Sequence, residues 1–311
     1  MRIALTALTD ELRRLKASGV KTIAVGDDTM EALRRMIAAR NVGPEKSTVA
    51  EAVGTKPGAA SGKSYQTTST GVRIPGSSAR SVSTAARIPT PPDVALPVGD
   101  KATRWSALLR LVQNDPVCQA HVRPGKKVVL GVGNVDAKIM FVGEAPGAEE
   151  EIQGEPFVGP AGQLLTKMIQ GMGLKRSDVY IGNIMNWRPE LAVSGGGEQY
   201  GNRPPTEEEM RYCMPYLRAQ IEVVAPDLLV ALGSTAAQGL LGFGSFKALG
   251  DIRGRWAEFA GKPLMVTYHP SYILRNQSNR SKRMIWEDLL KVMERAGLAV
   301  SEKQRGFFLD K

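Results

Sequence analysis

The chain has 311 residues, 42% of them hydrophobic and 23% charged, enough to bury a real core in one large domain or two small ones. Its formal charge of +10 favours a polyanionic partner, and nucleic acid is the commonest for a protein of this size. No apolar run reaches the roughly 18 residues of a membrane helix, and the charged N-terminus is unlike a secretory signal. Two cysteines set up no disulfide framework, so the expectation is a cytoplasmic protein with no membrane partner.

Residues 1–42 read as a small helical appendage, with Leu8, Leu12 and Leu15 at helical spacing. Residues 43–98 are rich in Ser, Thr, Gly, Pro and Ala and hold few large apolar side chains. Such a stretch buries too little surface to offset its ordering entropy and reads as a disordered linker. A globular domain follows over residues 99–300, with a C-terminal tail at 301–311. Trp105 to Val112 predicts a helix that stops at Asn114-Asp115-Pro116.

Four strand candidates then alternate with helices: Ile139 to Val142, Val179 to Ile184, Leu228 to Leu232, and Leu264 to Tyr268. That order predicts an α/β fold with a mostly parallel sheet covered by helices on both faces. Ligands in such sheets bind beyond the carboxyl ends of the strands. Those ends carry Gly143-Glu144, Asn183, Gly233-Ser234-Thr235 and His269-Pro270-Ser271, which would line one crevice.

The stretch KIMFVGEAPGAEEEIQGEPFVGPAGQLL dominates the chain, a strand opening into an acidic turn and then a glycine-rich turn around Phe157. It predicts a pocket for a planar ring, with Phe157 as its apolar wall and Glu144 and Glu150 as candidate bases. At least two of the four glutamates 144, 149, 150 and 151 should form an ordinary solvated face. Asn183 either reads the edge of a heterocycle or caps the next turn, and its amide suits both. His269 is one of two histidines in the chain and joins the other strand ends. Beyond it, Arg275, Arg280, Lys282 and Arg283 either hold phosphates or form the solvated face of an amphipathic helix. A histidine, an amide, a stacking ring and a carboxylate on a basic protein suit cleavage of an extruded base from DNA.

At this point four ordered motifs resemble the family 4 uracil-DNA glycosylases: GEAPGAEEEIQGEPFVGPAGQLL, VYIGNIMNWRP, NRPPTEEEMRYCMPYLRAQIEVVAPDLLVALGSTAAQGLLG and TYHPSYILR. The resemblance covers roughly Cys118 to Arg275 and implies a three-layer α/β/α sandwich with a central four-stranded parallel sheet. It implies a monofunctional enzyme, expected as a monomer, acting on uracil-containing DNA. Glu144 and Glu150 would position or activate water, Phe157 would stack on uracil, Asn183 would bond its edge, and His269 would stabilise charge at O2. Ser271 and Arg275 fall on the DNA-gripping segment, and Ile273 where a side chain wedges into the gap left by the flipped nucleotide.

The family typically holds a [4Fe-4S] cluster on four cysteines. Here Cys118 and Cys213 match two of those positions, but His121 and Trp187 stand at the others. Indole cannot ligate iron, so a chain without the cluster is expected, its volume filled by Trp187. Glu190 to Tyr200 is an insertion with neither histidine nor basic residues, which argues for turnover rather than covalent capture of the sugar. Two competing readings are a catalytically inactive DNA-binding descendant of the family and a phosphotransferase. The latter lacks a Gly-rich phosphate loop ending in Lys and Ser or Thr.

Overall fold

A computed structural model describes residues 88–191, 199 and 201–309. The helical unit expected over 1–42, linker residues 43–87 and the triple glycine of the insertion lie outside them. The strands are β1 (Val132–Gly133), β2 (Ile139–Gly143), β3 (Tyr180–Asn183), β4 (Leu228–Leu232), β5 (Trp256–Phe259) and β6 (Lys262–Thr267). The helices are α1 (Lys101–Gln113), α2 (Pro116–Ala120), α3 (Ala148–Gln153), α4 (Pro160–Gly171), α5 (Glu207–Val224), α6 (Ser234–Leu241), α7 (Leu249–Ile252), α8 (Pro270–Arg275), α9 (Asn279–Arg295) and α10 (Glu302–Arg305).

Every residue of β2 and β4 is buried, as the unbroken apolar runs IMFVG and LLVAL require of strands covered on both faces. Alternate residues go to opposite sides. Met140, Val142, Leu229 and Ala231 pack with α1, α5 and α6, while Ile139, Phe141, Leu228 and Val230 pack with α4 and α9. The three-layer sandwich is therefore present, with β3, β2, β4 and β6 parallel at its centre. The sheet is wider than expected, because β1 and β5 add antiparallel edges and make it six-stranded, in the order β1-β3-β2-β4-β6-β5. β5 escaped notice because its hairpin turns on Ala260-Gly261, both at positive φ, without the Asn-Gly or Asp-Gly signature of such turns.

The chain runs from β2 outward to β3, then crosses back to place β4 on the other side of β2. That reversal opens a crevice at the carboxyl ends of these strands. Asp115, read as part of a stop, also starts the next helix: its side chain accepts from Cys118 N at 2.7 Å and caps α2. α5 opens on a reciprocal cap between Thr206 and Glu209, with three glutamates in its first turn against the helix dipole.

The stretch 88–98, read as the end of the linker, instead lays Ile88, Val94 and Leu96 against the α1–α5 side of the core. Three spaced apolar residues suffice to dock an extended segment on a ready-made surface, which composition alone does not convey. The tail is docked too, with Trp286 Nε1 donating to Gln304 O at 2.6 Å and the Phe307 ring 5.2 Å from Trp286. Among the described residues no helix is long and apolar enough to cross a membrane.

Candidate active site

The site is built on one pair in the sheet register, Gly143 of β2 beside Asn183 of β3. A Cβ at Gly143 would stand 2.5 Å from Phe157 Cε2 and closer still to Asn183 Oδ1, so the missing side chain is what lets ring and amide meet over the strand. Phe157 itself has φ of 55°, a left-handed backbone uncommon outside glycine. Gly162 of α4 makes that turn possible, since a Cβ there would overlap the Phe157 carbonyl. Asn183 is 5% exposed, and its Nδ2 has no hydrogen-bond partner among the described residues. A buried amide donor left unpaired costs about 1–3 kcal/mol, which a ligand carbonyl would recover.

The acidic turn divides its labour. Glu150 accepts from Gly147 N at 3.1 Å with one oxygen, and from Val158 N at 3.1 Å and Gly159 N at 3.0 Å with the other. It ties the acidic turn to the turn bearing Phe157, so the residue expected to handle water has its oxygens engaged by three backbone N–H groups. Glu151 is buried between Arg123 and Arg188, the latter at 2.9 Å, and serves the fold. Glu149 is the exposed member. Glu144 remains for chemistry. Burial pushes its carboxyl above the usual range, and a hydrogen bond from Thr235 opposes that shift.

His269 caps α8. Its Nδ1 accepts from Ser271 N at 3.1 Å and lies 2.8 Å from Ser271 Oγ. A backbone N–H only donates, so the proton of the neutral ring sits on Nε2. Burial, with the Arg275 charge adding to it, depresses the imidazole to about 4, so the ring is a neutral donor at physiological pH. Its centroid is 5.6 Å from that of Phe157.

A cleft of about 620 Å³ is bordered by Glu144, Glu150, Phe157, Asn183, His269, Ser271 and Arg275 together. Ile273 is not among them. It is 7% exposed and packed into the core below α8, because one turn of that helix points it inward, whereas Leu274 beside it is 41% exposed. Arg283, offered for phosphates, donates instead to the carbonyls of Arg305 and Phe307 and pairs with Glu287. Sequence reasoning passed over Asn202, held by Arg188 Nε at 2.8 Å, and the Tyr268–Tyr272 pair, stacked at 4.4 Å. The i, i+4 tyrosines around His-Pro-Ser were the available signal.

Cys118, His121, Trp187 and Cys213 lie in the α1–α5 layer, outside the cleft. Both thiols are free and buried, and burial pushes both upward, toward the protonated form. Trp187 is 1% exposed and stacks on His121 with centroids 4.8 Å apart. These residues do not fit a four-thiolate cluster, since two positions lack sulfur and one of them holds an indole with no lone pair to give.

A family model described as the uracil DNA glycosylase superfamily matches residues 130–290. The chain is 42% identical over 181 residues to a type-4 uracil-DNA glycosylase of Thermotoga maritima, covering 58% of this chain and 88% of that protein. It is 39% identical over 173 residues to one of Archaeoglobus fulgidus, covering 54% and 81%. A type-5 uracil-DNA glycosylase of Pyrobaculum aerophilum is more distant, at 31% over 179 residues, with 53% and 73% covered.

Proposed function

Because the chain belongs to the type-4 uracil-DNA glycosylases of the uracil DNA glycosylase superfamily, we propose that it hydrolyses the N-glycosidic bond of deoxyuridine in DNA, releasing uracil and leaving an abasic site. The observation that carries this reading is the Asn183 Nδ2 donor, without a hydrogen-bond partner among the described residues and buried beside the Phe157 ring in a cleft that also holds a neutral histidine.

Uracil extruded from the stack lies on Phe157, and Asn183 Nδ2 donates to a carbonyl on the ring edge. Cytosine presents a donor at the equivalent position and leaves two donors facing each other, so it is rejected. As the C1′–N1 bond breaks, its electron pair leaves on the ring and the sugar becomes oxocarbenium-like. His269 Nε2–H points its dipole at the developing oxyanion without titrating. Glu144, ionised, steadies the sugar cation and takes the proton of the water whose oxygen bonds to C1′, and that proton ends on the released uracil anion. Glu150 contributes by holding the Phe157 turn. Arg275 and Ser271, at the mouth of the cleft, face the phosphates, and exposed Leu274 in place of Ile273 fills the vacated stack. The +10 charge supports sequence-independent DNA affinity that falls with salt. The protein acts as a monomer in the cytoplasm, and two unbonded buried cysteines accord with a reducing compartment.

An oligonucleotide with one uracil, treated with alkali after incubation, tests the reading. The wild type nicks the strand at uracil, and Asn183→Asp does so at least ~100-fold more slowly while keeping its fold. A wild type that binds the oligonucleotide and leaves it intact favours the inactive DNA-binding alternative.

A further inference from the structure

We infer that the position of the four-cysteine cluster implied by the resemblance is, in this chain, a metal-free packing unit that cross-links the same segments by hydrogen bonds and stacked rings. A cluster at those positions would tie together three pieces of backbone: α2 and its cap, the turn after β3, and the first turns of α5. All three are joined here without it. Asp115, ahead of α2, accepts from Cys118 N at 2.7 Å with one oxygen, and from Tyr212 Oη and Tyr216 Oη of α5, both at 2.8 Å, with the other. Trp187, after β3, stacks on His121 at the end of α2, and its ring lies 6.2 Å from that of Tyr212.

The ligand chemistry agrees with the geometry. His121 Nδ1 lies 2.8 Å from Val117 O, so it carries the proton that this carbonyl accepts and Nε2 keeps a lone pair, but the ring is held flat against the indole of Trp187, 25° from parallel, and that indole has no lone pair to give, which leaves the set short of four ligands. Trp187 is 1% exposed, packed between His121 and Tyr212 at a position where a four-thiolate cluster needs a sulfur. The arrangement carries one residual cost: Trp187 Nε1 has no hydrogen-bond partner among the described residues.

The test uses the full chain purified anaerobically. The expected result is substoichiometric iron and acid-labile sulfide, no visible thiolate-to-iron absorption, and a Tm unchanged by reductant with chelator. Stoichiometric iron and sulfide, or a Tm that falls on chelation, overturns the inference, because chelators unfold domains whose folding is coupled to metal. Trp187→Ala lowers the Tm by roughly 10 °C through the cavity it leaves, and an unchanged Tm also overturns the inference. Restoring four cysteines with His121→Cys and Trp187→Cys confers uptake of iron and sulfide on reconstitution. Uptake by the wild type equal to that of this variant, or none by the variant, counts against the inference. These readouts are metal content and melting temperature, so they stand whatever the outcome on uracil.

Discussion

Gly143→Ala perturbs the proposed site through a single methyl group and no change of charge. The added Cβ would stand 2.5 Å from Phe157 Cε2, and closer to Asn183 Oδ1, where ordinary contact begins at 3.4 Å. Ring and amide must therefore each recede from the new methyl by about 1 Å, and both are tightly held, since Phe157 and Asn183 are 6% and 5% exposed. Over-packing of this kind costs about 1–3 kcal/mol of stability, or roughly 2–12 °C in Tm for a domain of this size. Misplacing recognition groups by about 1 Å costs on the order of 100-fold in rate. Single-turnover excision on a uracil oligonucleotide, run well below the Tm, separates the two effects. Excision within about threefold of wild type would refute the claim that the amide–ring contact over Gly143 sets the geometry of base recognition.

Two further outcomes follow from buried titratable groups. The folded imidazole of His269 lies at about 4 against an ordinary 6.5, so between those values the unfolded chain binds more protons. Its contribution to stability is full above 6.5 and is lost as pH falls toward 4, so the wild-type Tm should drop more from pH 7 to pH 5 than that of His269→Asn; parallel drops would remove the basis for a neutral donor. Asp288 is fully buried, bonded to Arg253 at 2.6 and 3.1 Å and to Thr267 Oγ1 at 2.7 Å, just before His269 in the chain. Asp288→Asn leaves Arg253 without its counter-charge and should lower the Tm by roughly 10 °C, the result of losing about 3 kcal/mol from a buried pair. Calorimetry showing no change would mean that this pair does not anchor β6.

Much of the candidate site was legible in the chain because strands buried on both faces are written as continuous apolar runs, and each run ends where its polar residue begins. Gly143-Glu144, Asn183 and His269 could therefore be placed at one edge of a parallel sheet before any coordinates existed. The β5 hairpin was not legible, because its turn residues carry no strong signature. Nor was the docking of residues 88–98, where three apolar side chains depend on a surface made by distant segments.

Sequence by itself determined the four central strands, the residues at their ends and the mismatch of His121 and Trp187 with a thiolate cluster, since these follow from residue type and spacing, whereas the order β1-β3-β2-β4-β6-β5 belongs to the tertiary structure. Only the tertiary structure decided that Glu150 binds three backbone N–H groups while Glu144 faces the cleft, that Ile273 turns inward and Leu274 outward, and that Phe157 sits at positive φ against Gly143. The reason is common to all three: a side chain's task depends on which donors, voids and neighbours surround it, and chain segments far apart in sequence supply those surroundings.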